Sequence, residues 1–201
     1  MDEVNAEPVW NSWQLRTDRR HRLRITAFFI LSALPLLSSA QTPHPTEGQV
    51  KAAYLFNFGK FVTWQADQTG TRNVFEICIL GKDPFGAVLD TTIAGESIGG
   101  RNITVGRLSR MQDASQCSEL YISPSEESRL GEVLAATQRM DVLTVSDIPH
   151  FADRGGMIGL VKQQDRIRFE VNRKAAEQRG LVLSSELLKV ATKVIPNGPG
   201  K

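Results

Sequence analysis

From about 47 to 64 apolar residues recur at helical spacing. At about 100° per residue, Val50, Ala53, Tyr54, Phe58, Phe61, Val62 and Trp64 fill one broad arc, and Phe56 falls on the far side. Thr46 stands at the N-cap position. So little of this helix is polar that the pattern predicts either deep burial in the domain's own core or, as the alternative, that part of it meets a partner or a second copy of the chain. Downstream the period changes. Runs rich in β-branched and aromatic residues predict strands at 74–80, 102–107, 118–122 and 142–145, then a hairpin of 156–161 and 166–171 around the polar turn 162–165. Helices are predicted between them. Asp83 and Pro84 form a start signal, and Ser123-Pro124-Ser125-Glu126 reads as a capping box opening a helix to about 140. Asn172 starts a short helix ending near Gly180. Ser184 or Ser185 caps a last one running to about 194, stopped by Pro196-Asn197-Gly198. This alternation predicts an α/β fold: a largely parallel sheet sandwiched between helices, with a C-terminal antiparallel hairpin.

The first 40 residues follow another logic. Arg16, Arg19, Arg20, Arg22 and Arg24 precede an apolar stretch, 25–37, broken by Pro35, and the small residues Ser38 and Ala40 follow. That order predicts a cleavable signal peptide over 1–40 and export, with cleavage near Ala40. A retained membrane anchor is the alternative, although the apolar run is short of the roughly 20 residues a bilayer core requires. A polar lead-in, 41–48, then precedes one domain over 49–195 and a tail of 196–201. Taking five Arg and four acids out of 24 basic and 22 acidic residues leaves the mature part near +1. No basic cluster free of matching acids suggests nucleic acid.

Cys78 and Cys117 both fall in the part expected to be exported. A disulfide is the economical reading, and two buried thiols packed as small hydrophobes is the other. With no His nearby, the pair does not have a zinc spacing, and no metal or cofactor is expected.

Catalytic residues are equally hard to assemble. His21 lies in the leader and His44 in the lead-in, so His150 is the one histidine left for a triad, and no Gly-x-Ser-x-Gly elbow presents a nucleophile. Asp141, Asp147 and Asp153 serve as caps and turn residues unless the fold pairs two of them. The 81–86 segment could cradle a phosphate, but it lacks the Lys and Ser or Thr of a Walker loop and starts a helix without a ligand. Gly155-Gly156-Met157-Ile158-Gly159 offers either a close approach to ligand or a tight lead into the hairpin. Arg166, Arg168, Glu170 and Asn172 alternate on the last long strand. That polar face suits solvent at a sheet edge, or an acidic partner loop or carboxylate.

Seven segments carry a resemblance. Val50-Lys-Ala-Ala-Tyr-Leu-Phe-Asn-Phe-Gly-Lys-Phe-Val-Thr-Trp64, Leu80-Gly-Lys-Asp-Pro-Phe-Gly86, Gly100-Arg101, Val142-Leu-Thr-Val-Ser-Asp147, Gly155-Gly-Met157, Arg168-Phe-Glu-Val-Asn172 and Leu183-Ser-Ser-Glu-Leu-Leu-Lys189 together resemble the YfiR family of exported bacterial proteins. Each alone is weak; seven in order are specific. Gln65 departs from the Pro that often follows the Trp, and a second cysteine pair found in some members has no counterpart. The resemblance implies an α/β sandwich able to dimerise and a shared disulfide between Cys78 and Cys117. It also implies a periplasmic regulator, not an enzyme. Such a protein represses an inner-membrane diguanylate cyclase by binding its periplasmic sensor domain, and an outer-membrane lipoprotein relieves it by sequestration. Tyr54, Phe58, Trp64 and Arg168 are the residues expected to meet the partner. The contrasting expectation is a small-ligand-binding protein or envelope enzyme working through the loop at 147–156.

Overall fold

Thr46 opens the first helix as expected. Its hydroxyl accepts from Gln49 N while the Gln49 side chain accepts from Thr46 N, closing a capping box on α1, Glu47–Phe61. The computed structural model describes residues 44–65 and 73–196, so the expected leader and tail residues 197–201 lie outside it. The buried side of α1 is Lys51, Ala52, Leu55, Phe58 and Gly59, at i, i+3, i+4 and i+7 spacing but rotated from the arc predicted above. Two misleading residues explain the rotation. Lys51 carries a charge into the buried face, and Gly59 has no side chain to mark it, yet a Cβ there would stand 2.5 Å from Ile98 Cδ1 and 2.9 Å from Phe75 Cζ. Phe56, expected on the far side, is half-buried at the core margin under the Lys60 ammonium, 3.7 Å from its ring centroid.

The helix stops at Phe61, three residues earlier than the pattern suggests. Val62–Trp64 is instead β1, alternating buried and exposed, and it pairs antiparallel with β9, Leu181–Leu183. Two β-branched residues followed by Trp favour the extended form once a partner strand is present.

Eight other strands build the main sheet: β2 (Val74–Leu80), β3 (Ser97–Ile98), β4 (Arg101–Leu108), β5 (Glu119–Ile122), β6 (Leu143–Ser146), β7 (Ile158–Gln163), β8 (Arg166–Asn172) and β10 (Lys193–Ile195). Their order across the sheet is β10-β8-β7-β6-β5-β2-β4-β3. From β4 to β7 all neighbours are parallel, β8 returns antiparallel to β7, and β10 lies parallel to β8. The α/β class, the parallel core and the antiparallel hairpin are therefore observed. The hairpin turn is shorter than expected, because Gln164 and Asp165 both take positive φ (48° and 56°) and close it in two residues.

Alternation along the strands divides the core into two layers. Phe75, Ile77, Ile79, Tyr121, Leu143 and Val145 face α1, α2 (Ala87–Ile93) and α5 (Ser185–Val190). Leu80, Leu120, Ile122 and Val142 face the other side, with Met111 from the 3-10 turn Met111–Gln116 and with Leu130, Val133 and Leu134 of α3, Leu130–Thr137.

Three helix predictions shorten for local reasons. Asp83 accepts from the N–H groups of Phe85 and Gly86 as a turn residue, and the helix begins only after Gly86, whose φ is 53°. Ser123 caps a 3-10 segment, Pro124–Arg129, and Glu126 bonds to Arg129 instead of reaching back, so no full capping box forms. The last helix ends at Val190, leaving 193–195 to extend the sheet as β10. Asn172 does cap α4, Arg173–Glu177, as its sequence suggests.

Candidate functional site

The charged residue on the buried side of α1 explains how this helix is held. The Lys51 ammonium lies 2.5 Å from Asp147, at the C-terminal end of β6, and 2.6 Å from Glu47 one turn earlier in its own helix. Asp147 also accepts a 2.5 Å hydrogen bond from the Tyr121 hydroxyl of β5. Burial pulls the Lys51 pKa down, but the hydrogen bonds and charges of Asp147 and Glu47 outweigh it, and the net shift is upward. Burial, then the bond to Asp147, raises the Tyr121 phenol, so it stays a donor. A second clamp lies one turn on. Tyr54 donates to Ile167 O at 3.2 Å, stacks on Phe58 at 5.6 Å between ring centroids and meets the edge of Phe169 at 5.5 Å.

These clamps fix one wall of an open cleft of about 700 Å³, between the N-terminal turn of α1 and the β7–β8 hairpin. His44, Glu47 and Val50 line one side, and Lys162, Arg166 and Arg168 the other. Lys162 lies 3.5 Å from Asp165, which also lines the cleft, while Arg166 and Arg168 are exposed. The hairpin side therefore carries three cations against one acid. Short-range attraction of an acidic segment is what such a wall does best, and it weakens with salt.

Of the residues expected to meet a partner, the structure brings Arg168 to this cleft. Tyr54 lies below it, half-buried. Phe58 is 1% exposed and Trp64 4% exposed, both inside the core, so neither side chain reaches a partner while the domain stays closed. Their apolar character is accounted for by packing: Phe58 on Phe169, and Trp64 on Phe75 at 5.2 Å between centroids. Arg166 belongs to the alternating polar face noted in the sequence, whereas Lys51, Tyr121 and Lys162 were not singled out as site residues. The one signal available was a lysine within an otherwise apolar helical run.

The loop at 147–156 does not assemble a reacting group. Asp147 is turned inward to Lys51 and Tyr121, whereas the His150 side chain is 81% exposed, with Asp153 3.9 Å away. The glycines serve packing. A Cβ on Gly156 would enter the Phe151 ring, which is buried there, so the close approach is to the protein's own aromatic residue.

In open α/β sheets ligands favour the crevice where strand order reverses, here between the ends of β2 and β5. This crevice is filled. Ser123 N donates to Leu80 O at 3.0 Å, Lys82 N donates to the Ser125 hydroxyl at 2.9 Å, and Gly81, at φ 88°, has no room for a Cβ against Ser125 and Glu126.

Two further features lie deeper. Cys78 and Cys117 form a disulfide, with Cα atoms 5.8 Å apart, joining β2 to the residue two before β5. Glu119, at the start of β5, is fully buried with no partner for either carboxylate oxygen, and burial alone pushes its pKa well above the ordinary value.

Among the described residues, no helix is long and apolar enough to cross a membrane. No curated protein matches the chain. Solved structures similar to it include an ABC domain from Streptococcus pneumonia in complex with L-Trp and a conserved domain protein from Vibrio cholerae O1 biovar El Tor. Each is 14% identical with a TM-score of 0.50 over 72% of this chain, and the chain spans about 60% of the length of each. That likeness is one of fold. The family comparison reaches further: the model of the family described as YfiR/HmsC-like matches residues 48–192, from the first turn of α1 to the threshold of β10, and the chain belongs to that family.

Proposed function

We propose that this protein is a periplasmic regulator that represses an inner-membrane diguanylate cyclase by binding the cyclase's periplasmic sensor domain, so lowering cyclic di-GMP. The observation that carries the reading is family membership over nearly the whole described domain. The fold is consistent with it. The crevice of the sheet is occupied by the protein's own side chains, the loop at 147–156 gathers no reacting groups, and the cationic wall faces solvent. The protein acts by covering a surface. On this reading Arg168, with Arg166 and Lys162, receives an acidic segment of the sensor domain. An outer-membrane lipoprotein relieves repression by competing for the regulator, and two copies can pair.

The test uses the mature protein, immobilised and exposed to detergent-solubilised membranes, with captured cyclase identified by mass spectrometry. Deletion of the gene should raise cyclic di-GMP, and restoring the wild-type chain should lower it. Unchanged cyclic di-GMP on deletion, together with no cyclase retained on the immobilised protein, refutes the proposal. If His150→Ala instead abolished a turnover or small-ligand signal, the contrasting function through the 147–156 loop would replace it.

A further inference from the structure

Beside the disulfide stands a third potential ligand that the spacing of the cysteines conceals. Glu76 lies two residues before Cys78 on β2, so both side chains fall on the same face of the strand. A carboxylate oxygen of Glu76 and the two Sγ atoms all lie within 4.8 Å of one another. Space for this grouping is made by the neighbouring strand. Gly106 of β4 is in register with Cys78, and a Cβ there would stand 2.7 Å from Glu76 Oε1 and 3.3 Å from Cys78 Sγ. On the other flank Ser118, next to Cys117, donates its N–H to Glu76 O at 2.9 Å, and its fully buried hydroxyl has no hydrogen-bond partner. Both sulfurs are buried, while Glu76 and Gly106 are partly open, which gives an ion a route in.

We infer that Glu76, Cys78 and Cys117 form a zinc site when the disulfide is reduced. Two thiolates and one carboxylate oxygen are a donor set that zinc accepts in tetrahedral geometry, with a water or the Ser118 hydroxyl left for the fourth position. In the oxidised protein the sulfurs are bonded to each other and offer no thiolate, so the site is closed. A dithiol reductant opens it. The protein disulfide takes up two electrons and two protons to give two thiols while the reductant becomes a disulfide, and zinc then displaces both thiol protons to solvent. The same covalent pair thus serves as a staple in one redox state and as a metal clasp in the other. Buried sulfurs make the exchange slow, and the metal replaces the cross-link that reduction removes.

The experiment reduces the mature protein with a phosphine, which takes oxygen from water and leaves its two protons on the thiols. Zinc is then added, and metal is counted after desalting, with near-ultraviolet circular dichroism reporting the fold. One zinc per folded, reduced chain is expected, and about none in the oxidised chain. Cobalt in place of zinc should give thiolate charge-transfer absorption. Glu76→Gln should weaken zinc about tenfold or more, and Cys78→Ser should abolish the site. The inference is overturned if folded, reduced protein takes up no zinc, or if Glu76→Gln binds it as tightly as the wild type. A reduced chain that unfolds and is not refolded by zinc overturns it equally.

Discussion

Glu119 offers a sharp test of the physical account, because a fully buried carboxyl without a partner must stay protonated to remain inside. In the unfolded chain it ionises near its ordinary value of 4.5. The folded state therefore binds the extra proton. Its raised pKa means that stability from this residue is greatest below the unfolded value and declines as pH rises, until the raised folded value is passed. Each pH unit in that window removes about 1.4 kcal/mol. Glu119→Gln keeps the shape but cannot ionise, so its advantage over wild type should grow by about 1.4 kcal/mol per pH unit between the unfolded and the raised folded value. Glu119→Leu should add about 1–3 kcal/mol more, because it also removes an unsatisfied polar group lying between Ile77 and Leu143 in register. Urea unfolding of the three proteins at pH 5, 6 and 7, followed by far-ultraviolet circular dichroism, measures this directly. Parallel pH dependence in wild type and Glu119→Gln would refute the argument. So would a Gln variant less stable at pH 7 than wild type, since that outcome requires a carboxylate with a favourable partner.

Three other outcomes are expected. Phe58→Ala should cost about 3–5 kcal/mol by opening a cavity against Phe169 and Tyr54, lowering the thermal midpoint, whereas Arg168→Glu should leave that midpoint nearly unchanged while weakening partner capture; a reversed pattern would place the binding surface elsewhere. Lys51→Met should destabilise by about 3 kcal/mol, because Asp147 then keeps its buried place with the cation removed, and Lys51→Met/Asp147→Leu should recover part of the loss in a double-mutant cycle. Gly156→Ala should cost about 1–3 kcal/mol through the Phe151 ring, and the double change Gly156→Ala/Phe151→Leu should cost less than the two single losses combined.

Strand existence and class were legible because 74–80 is a short apolar run buried on both faces and 166–172 alternates with a period of two at the sheet margin, and both patterns are distinct from helical spacing. Short strands were not. β1, β9 and β10 each have three residues, and their extended form is set by pairing across the chain, which local pattern does not record. The helix at 47–61 shows the same limit in another way. Its rotation depends on Gly59, whose contribution is absence, and on Lys51, whose burial is bearable only because Asp147 arrives from 96 residues away. Of the candidate site, Arg168 was legible through alternation on β8. The assignment of Phe58 and Trp64 to a partner surface was not supported by burial, since apolar bulk alone cannot distinguish an interior ring from an exposed one. Glu76 was passed over because a carboxylate within an apolar strand reads as a solvated position until β4 is laid beside it.

The pairing of β1 with β9 has a consequence for the order of synthesis. Residues 62–64 find their hydrogen-bond partners only in residues 181–183, so a polypeptide emerging amino end first cannot seat Val62 and Trp64 until almost the last of the domain has arrived. Completion is postponed to the end of synthesis. A truncation before 181 would therefore leave Val62–Trp64 with no strand to pair with, although α1 itself would keep its anchors on Asp147, Ile167 and Phe75.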